Sequence, residues 1–199
     1  MAAIALPTCP VPNEASPFLV DAGGDLVPFL PGGVVQRINR AGSRMGVRYS
    51  MPEMDEDEGR TFVTRLMRGK SSSVLMPYPL FNFDPGTPPN PQINAASTGT
   101  ALSIKGLGAN YEIRESQPLS VIHGGVRYLH FSTGEVVANG SGIASVGIWP
   151  PARVTFSVND TVEITEPMIE GRVSPGDEIS WQIALDNGWS VPFSVVERR

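Results

Sequence analysis

The middle of the chain, from Leu119 to Glu166, places the strongest limit on the fold, because it consists almost entirely of short β-type runs separated by turns. The runs read LSVIHGGVRYLH, VVANGSGIASVGIWPPARVTF and TVEITEP. β-Branched and aromatic residues favour strands, and Gly-Gly or Asn-Gly between two such runs favours a tight hairpin. The segment holds no cluster of acids, bases or metal ligands, which is typical of architecture rather than catalysis.

The composition also predicts a mainly β protein. The chain has 199 residues, which fits one large domain or two small ones. Its 21 glycines and 19 prolines favour many short strands over long helices. Charged residues make up 18%, below the roughly 25% of an average soluble domain, and burial against partner subunits is one way to accommodate such a surface.

The charge balance disfavours nucleic-acid binding. The net charge is -5 and the pI is about 5.0, whereas a nucleic-acid binder normally carries a basic excess. No Lys or Arg precedes Arg37 and no run of 18 apolar residues exists, so neither a secretory signal nor a membrane span is predicted. The single cysteine, Cys9, cannot form an intrachain disulfide and fits a reducing cytoplasm.

The first third is predicted as an arm followed by strands. Residues 1–33 are interpreted as an extended arm with short strands such as Phe18–Val20, and residues 34–51 as two strands around a turn at Ala41–Ser43. The second strand is expected to turn three side chains toward a core: Met45, Val47 and Tyr49. The densest basic group consists of Arg37, Arg40, Arg44 and Arg48. We interpret it either as a solvated sheet face or as a surface for an acidic partner.

One helix is predicted, over residues 53–70. Its first turns are acidic, which the helix dipole favours, and Gly69 supplies a stop. Four apolar residues recur at helical spacing and predict one stripe: Phe62, Val63, Leu66 and Met67. Residues 71–83 are predicted as a strand that Pro77 and Pro79 end or confine to a sheet edge. The proline-rich segment 84–92 then reads as a connector between subdomains.

The two histidines do not predict a metal site. A hairpin turning at Gly124–Gly125 pairs His123 with Val126 and Leu119 with His130. Both rings are then on one face but roughly 13 Å apart, too far to share an ion. Glu135 is the nearest acid in sequence, and no feature marks it as a partner of either histidine.

The remaining motifs are read as structural. Gly106–Gly108 is a lone Gly-x-Gly with no helix pattern after it, and Cys9 has no neighbouring base. The Asn139 and Asn159 sequons are read as turns, and the three tryptophans as core or interface anchors: Trp149, Trp181 and Trp189. We therefore expect no catalytic, cofactor-binding or metal-binding residue, and no enzyme.

The order of phrases from about Val34 onward resembles the distal tail (tail-tip adaptor) proteins of long-tailed bacteriophages and phage-like particles. The phrases are RLMRGKSSSVLMPYP, GTALSIKGL, SQPLSVIHGGVRYLH, VVANGSGIASVGIWPPAR, DTVEITEPMIEGRV, EISWQIA and VPFSVVE. They are structural rather than catalytic, and the N-terminal arm matches least.

The resemblance implies a mainly β fold: a β-sandwich with one short α-helix and an inserted small β-barrel-like domain. The sandwich would comprise residues 1–83 plus 167–199, and the inserted domain residues 84–166. Such proteins form a hexameric ring that connects the tail tube to the hub or baseplate. The implied partners are further copies of the chain, the tube protein and hub proteins, with DNA passing through the lumen without specific binding. The implied location is the virion tail tip, assembled in the host cytoplasm, with no cofactor.

Two other functions stay open at this stage. A carbohydrate-binding module that aids host adsorption would need an exposed aromatic platform, for which Trp149 and Tyr128 are the candidates. A cell-wall hydrolase would need two carboxylates in one cleft, and Glu163 and Glu166 are candidates by default.

Overall fold

The computed structural model describes residues 3–8, 10–26, 35–38, 42–174, 179–184 and 188–198. The chain is mainly β with one short helix, as predicted, and it contains a six-stranded sheet and a closed six-stranded barrel. The sheet contains β1 (Ile4–Ala5), β2 (Glu14–Val20), β5 (Arg44–Ser50), β6 (Val74–Pro77), β15 (Met168–Ser174) and β18 (Pro192–Glu197). The barrel contains β7 (Gln92–Ile93), β8 (Ser97–Lys105), β10 (Pro118–His123), β11 (Val126–Ser132), β13 (Ala144–Phe156) and β14 (Thr161–Glu163).

Three further pairs form small two-stranded sheets. They are β3 (Gly24–Leu26) with β4 (Gln36–Ile38), β9 (Glu112–Ile113) with β12 (Val136–Val137), and β16 (Gln182–Ile183) with β17 (Trp189–Ser190). The prediction of two strands within residues 34–51 is confirmed, but β4 and β5 pair with different neighbours. The strand β4 joins β3, whereas β5 lies inside the large sheet between β18 and β2.

The large sheet has the order β1-β6-β15-β18-β5-β2, and every pairing is antiparallel except β1 with β6. The predicted alternation of β5 is confirmed, since Met45, Val47 and Tyr49 are buried and Arg48 is exposed. The strand β6 ends at Pro77, as the prolines predicted. The N-terminal arm contributes more than the expected short strand, because all of β2 pairs with β5.

The helix α1 (Glu56–Arg68) covers the core of this sheet. Asp55 caps its N-terminus by accepting the Glu58 N–H at 2.8 Å, and three acids fill the first turn. Phe62, Val63 and Leu66 are buried as predicted, but Met67 is 46% exposed. The buried face follows positions 59, 62, 63 and 66, so the next residue along falls on the solvent side of the stripe.

The barrel closes in the order β10-β11-β13-β8-β7-β14. Its interior is a second apolar cluster that includes Leu102, Val146 and Phe156. The predicted hairpin at Gly124–Gly125 is confirmed: both glycines have positive φ, and His123 pairs with Val126. All six barrel strands lie within the predicted insertion of residues 84–166. The division into two domains stays a prediction.

The C-terminal phrases MIEGRV and VPFSVVE form strands β15 and β18. Within EISWQIAL, Gln182–Ile183 is the extent of the strand among the described residues. Ile179 packs against the sheet core, whereas the Ile183 side chain is 61% exposed. Separately, the helix described here is neither long nor apolar enough to cross a membrane.

Candidate functional site

The densest group of buried charges lies where the barrel strand β11 meets the large sheet. Over residues 126–131, β11 pairs with β10 on one side. On the other side its described pairing with β13 is confined to Phe131 with Trp149 and Ser132 with Ile148. Further along β13, Pro150 and Pro151 have no N–H to donate to a ladder. One edge of β11, over residues 126–130, is therefore left without a neighbouring strand within the described chain.

Two carboxylates from the sheet occupy this edge. Glu170 of β15 accepts the Arg127 N–H at 3.1 Å, and Glu197 of β18 accepts the Leu129 N–H at 2.7 Å. Both glutamate residues are buried, with 3% of each residue's surface exposed. Buried backbone N–H groups require acceptors, so these side chains replace the carbonyls that a neighbouring strand would supply.

Each carboxylate is also bound on its second oxygen. Glu170 Oε1 accepts the Ser73 hydroxyl at 3.0 Å, and Glu197 Oε2 accepts the Met45 N–H at 2.9 Å. Arg153 Nη2 adds an ion pair 3.1 Å from Glu197 Oε2. Burial raises the pKa of Glu197, whereas Arg153 and the two backbone N–H donors lower it.

A second ion pair stands beside the first. The Nε and Nη2 atoms of Arg127 donate hydrogen bonds to the Glu163 carboxylate, at distances of 3.0 to 3.1 Å. The Ser120 hydroxyl donates to Glu163 as well, at 2.6 Å. Glu163, a default hydrolase candidate, thus has its oxygens committed to structural contacts, while Glu166 is exposed.

A cavity of about 110 Å³ lies in the seam between these groups. Its lining includes Arg127, Tyr128, Arg153, Glu170 and Arg198. The Arg153 guanidinium lies 5.2 Å from the centre of the Tyr128 ring, and Phe156 packs edge-on against that ring at 5.6 Å. Tyr128 is thus packed on two sides and does not present the open face that a sugar-stacking platform needs.

The histidines occupy structural positions on the inner wall of the barrel. Both rings pack against Phe156, at centroid distances of 6.1 Å for His123 and 5.8 Å for His130. His123 Nδ1 lies 2.7 Å from Asp160 Oδ2, which also accepts the Ser157 N–H. This acid comes from the turn before β14, which neighbours β10. The sequence contained that turn in Asn159-Asp160-Thr161, but the pairing that brings it to His123 is long-range.

His130 is fully enclosed. Its Nδ1 donates to the Pro150 carbonyl at 2.8 Å, while its Nε2 is buried without a hydrogen-bond partner. Burial lowers the pKa of His130 to about 4. Within the described ranges, no group of three or more His, Cys, Asp or Glu residues could hold a metal ion. Cys9 and Arg40 lie outside the described residues, as does the side chain of Arg37.

The tryptophans differ in their surroundings. Trp189 packs against the sheet core and lies over Gly59 of the helix. Trp149 is 38% exposed on the barrel, opposite Phe131, which packs edge-on against Tyr78 at 5.4 Å. Trp181 is exposed to a similar degree. An anchor role in the core therefore fits Trp189, and Trp149 is available to a partner.

The other sequence motifs form turns. Gly106 and Gly108 both have positive φ in the loop after β8, and no helix follows them in the described chain. The Asn139 side chain accepts the N–H groups of Ser141 and Ile143, as expected of a turn. On β5, the Arg48 guanidinium lies 4.6 Å from the centre of the Phe18 ring.

No protein-family model matches the sequence, and no curated protein is significantly similar to it.

Proposed function

We propose that this chain is a structural tail-tip subunit: a distal tail protein that forms a ring, with six copies expected, between the tail tube and the hub or baseplate. The observation that carries the proposal is the outer edge of β2. This seven-residue strand is the last in the large sheet, with β5 as its one neighbour in the described chain. A free edge invites pairing with another chain, and a repeated heterologous contact closes a ring.

The chemistry of the buried groups supports a structural role. Glu163, Glu170, Glu197 and Arg153 are tied to backbone groups or to one another. Committed side chains of this kind hold a shape and leave few groups for general acid–base work. The proposal therefore includes no enzymatic activity and no cofactor.

The finer architecture belongs to the same proposal. The large sheet and its helix would form a ring-building β-sandwich of residues 1–83 and 167–199, and residues 84–166 would be its inserted domain. In the virion the acidic chain would line a channel through which DNA passes without being held. A basic lumen in the assembled ring would contradict that last element.

The decisive test is the mass of the purified protein, measured by light scattering and native mass spectrometry, alone and with the tube protein. We expect a species of six times the 21.3 kDa chain. A monomer under both conditions, or particles that assemble complete and infective tails without this protein, would overturn the proposal.

A second candidate, a carbohydrate-binding module for host adsorption, is favoured by one observation. Trp149 is 38% exposed and stands opposite a further aromatic residue, Phe131. Aromatic rings at a surface can stack on sugars. Binding of host cell-wall glycan to a stable monomer, lost in Trp149→Ala, would favour this module over the ring.

A further inference from the structure

The connection between barrel and sheet depends on few apolar groups. Leu129 is the one barrel residue among the fully buried members of the sheet's core cluster, as far as the described residues go, and Phe131 packs against it from a partly exposed position. Beside them lies the seam cavity of about 110 Å³ rather than packed side chains. Burial of a single leucine contributes about 1.5–3 kcal/mol, too little to fix one unit on another by itself.

The polar contacts across the same seam are more numerous and more directional. Glu170 and Glu197 come from β15 and β18, which are neighbours in the sheet. They hold two N–H groups of β11 that are two residues apart, on Arg127 and Leu129. Alternate N–H groups of a strand point to the same edge. The two carboxylates therefore accept hydrogen bonds from two successive N–H groups on one edge of β11.

Each carboxylate is itself fixed from the sheet side. Ser73 holds the other oxygen of Glu170, and the Met45 N–H holds that of Glu197. Neither carboxylate can therefore rotate freely. Because the two carboxylates hold two N–H groups of β11, they fix the direction of that strand relative to the sheet. A charged acceptor also makes a stronger hydrogen bond than a neutral one.

We propose that Glu170 and Glu197 form a two-point latch that sets the orientation of the barrel on the sheet, by replacing the neighbouring strand that this edge of β11 lacks among the described residues. With the latch closed, the barrel and the sheet move as one body. With it open, the remaining ties are Leu129 and Phe131, two hydrogen bonds (Arg153 to the Arg198 carbonyl, and the Met168 N–H to Ser120) and the chain connections 78–91 and 164–167. The barrel then changes its angle relative to the sheet. The latch lies within a single chain, so its test does not depend on whether the chain forms a ring.

Replacing both carboxylates tests the latch in the full chain. At Glu197 both oxygens face N–H donors, so the NH₂ group of Glu197→Gln opposes one of them. At Glu170 a glutamine could still accept the Arg127 N–H and donate to the Ser73 hydroxyl, so Glu170→Met, which has no oxygen acceptor, is used instead. The matched control is Glu135→Met with Glu166→Gln, which changes two exposed acids and removes the same charge.

Two measurements are made on each protein. Hydrogen exchange resolved to single amides reports the latch directly, and we expect exchange at Arg127 and Leu129 to rise at least about tenfold in the latch variant. Distances between spin labels at Met67→Cys on the helix and Val137→Cys on β12, which packs against the barrel through Val136, report the orientation. They are measured in a Cys9→Ser background diluted with unlabelled chain. We expect a narrow distribution in the parent and the control and a broad one in the latch variant.

The core amides provide the reference for folding. Replacing Glu197 also leaves Arg153 without its partner and lowers global stability. Protection at Val47 and Val195 in the sheet and at Leu102 and Val146 in the barrel is therefore expected to fall equally in both units and to stay above that of Arg127 and Leu129. An unchanged distance distribution in the latch variant would overturn the proposal. Exchange at Arg127 and Leu129 no faster than at these core amides would also overturn it, because the carboxylates would then support global stability rather than orientation.

Discussion

His130 donates its Nδ1–H to the carbonyl oxygen of Pro150 over 2.8 Å, across the gap between two barrel strands. The carbonyl can only accept, so the proton of the neutral imidazole lies on Nδ1. Its Nε2 faces a buried region without a hydrogen-bond partner. His130 is therefore neutral in the folded barrel.

This relationship predicts loss of stability in mild acid. The pKa of His130 is lowered to about 4 in the fold, from an ordinary value near 6.5, so the unfolded chain takes up its proton first. The contribution of His130 is complete above pH 6.5 and is lost as the pH falls toward 4, to a total of about 3 kcal/mol. The free energy of unfolding is measured by urea titration of the parent and of His130→Leu at several pH values between 7.5 and 4. It should fall less steeply with falling pH in the variant than in the parent.

The comparison with the variant is needed because Glu197 changes the free energy of unfolding with pH in the opposite direction to His130. Its pKa is raised by burial, so it favours the fold as the pH falls and loses that contribution as the pH rises through its folded value. Its effect is common to both proteins and cancels in the difference. Parallel curves for the parent and His130→Leu would show that His130 does not set the acid response.

The buried ion pair of Arg153 and Glu197 gives a second prediction. Their side chains are 11% and 2% exposed, so Arg153→Met leaves a buried carboxylate without its counter-ion. Breaking a buried pair from one side costs about 3–5 kcal/mol in the free energy of unfolding. Restoring charge balance by adding Glu197→Gln should recover part of this loss, as measured by denaturant unfolding of the single and double variants.

The surface pair of Arg60 and Glu56 is the matched control. Those side chains are 66% and 51% exposed, and exposed pairs contribute under about 1 kcal/mol. Arg60→Met should therefore leave the unfolding midpoint almost unchanged. If Arg60→Met and Arg153→Met lowered the free energy of unfolding equally, burial would not determine how much an ion pair contributes to stability.

The features that the sequence predicted well are those set by neighbouring residues. The Gly124–Gly125 turn fixes the register that places His123 opposite Val126, and the acidic start of the helix is a local signal as well. The contact of Glu197 with Leu129 could not be predicted, because 68 residues separate the two and no local pattern links them.

The same limit applies to the site. The hydrogen bond between Asp160 and His123 depends on β14 lying beside β10, which periodicity alone does not specify. Burial at the edge of the apolar stripe of the helix is equally hard to predict, as the exposed Met67 shows. Whether such a residue is buried depends on how the helix is rotated relative to the sheet that it covers.

A third prediction concerns the start of the helix. Asp55 accepts the Glu58 N–H at 2.8 Å, and loss of such a cap costs about 1 kcal/mol. Asp55→Ala should lower the free energy of unfolding by that amount. Asp57→Ala, which removes an equal charge from the first turn without removing the cap, should cost clearly less. Equal losses in urea unfolding would indicate that charge, and not capping, stabilises this end.

The last prediction tests the edge strand on which the proposed ring depends. Leu19 lies on β2 and is 42% exposed in the single chain, so a lysine there is tolerated by the fold. Lysine on an edge strand opposes pairing with another chain. We expect Leu19→Lys to keep the parent's far-ultraviolet circular dichroism, which shows that it folds, but to elute as a monomer.

Val137→Lys provides the comparison, because Val137 is exposed on β12, which pairs with β9 and not with the large sheet. It introduces the same charge and should leave the oligomer intact. Light scattering of the three proteins at equal concentration decides the matter. If Leu19→Lys assembles as the parent does, β2 is not the edge through which copies join, and the interface of the ring must be sought on another surface of the chain.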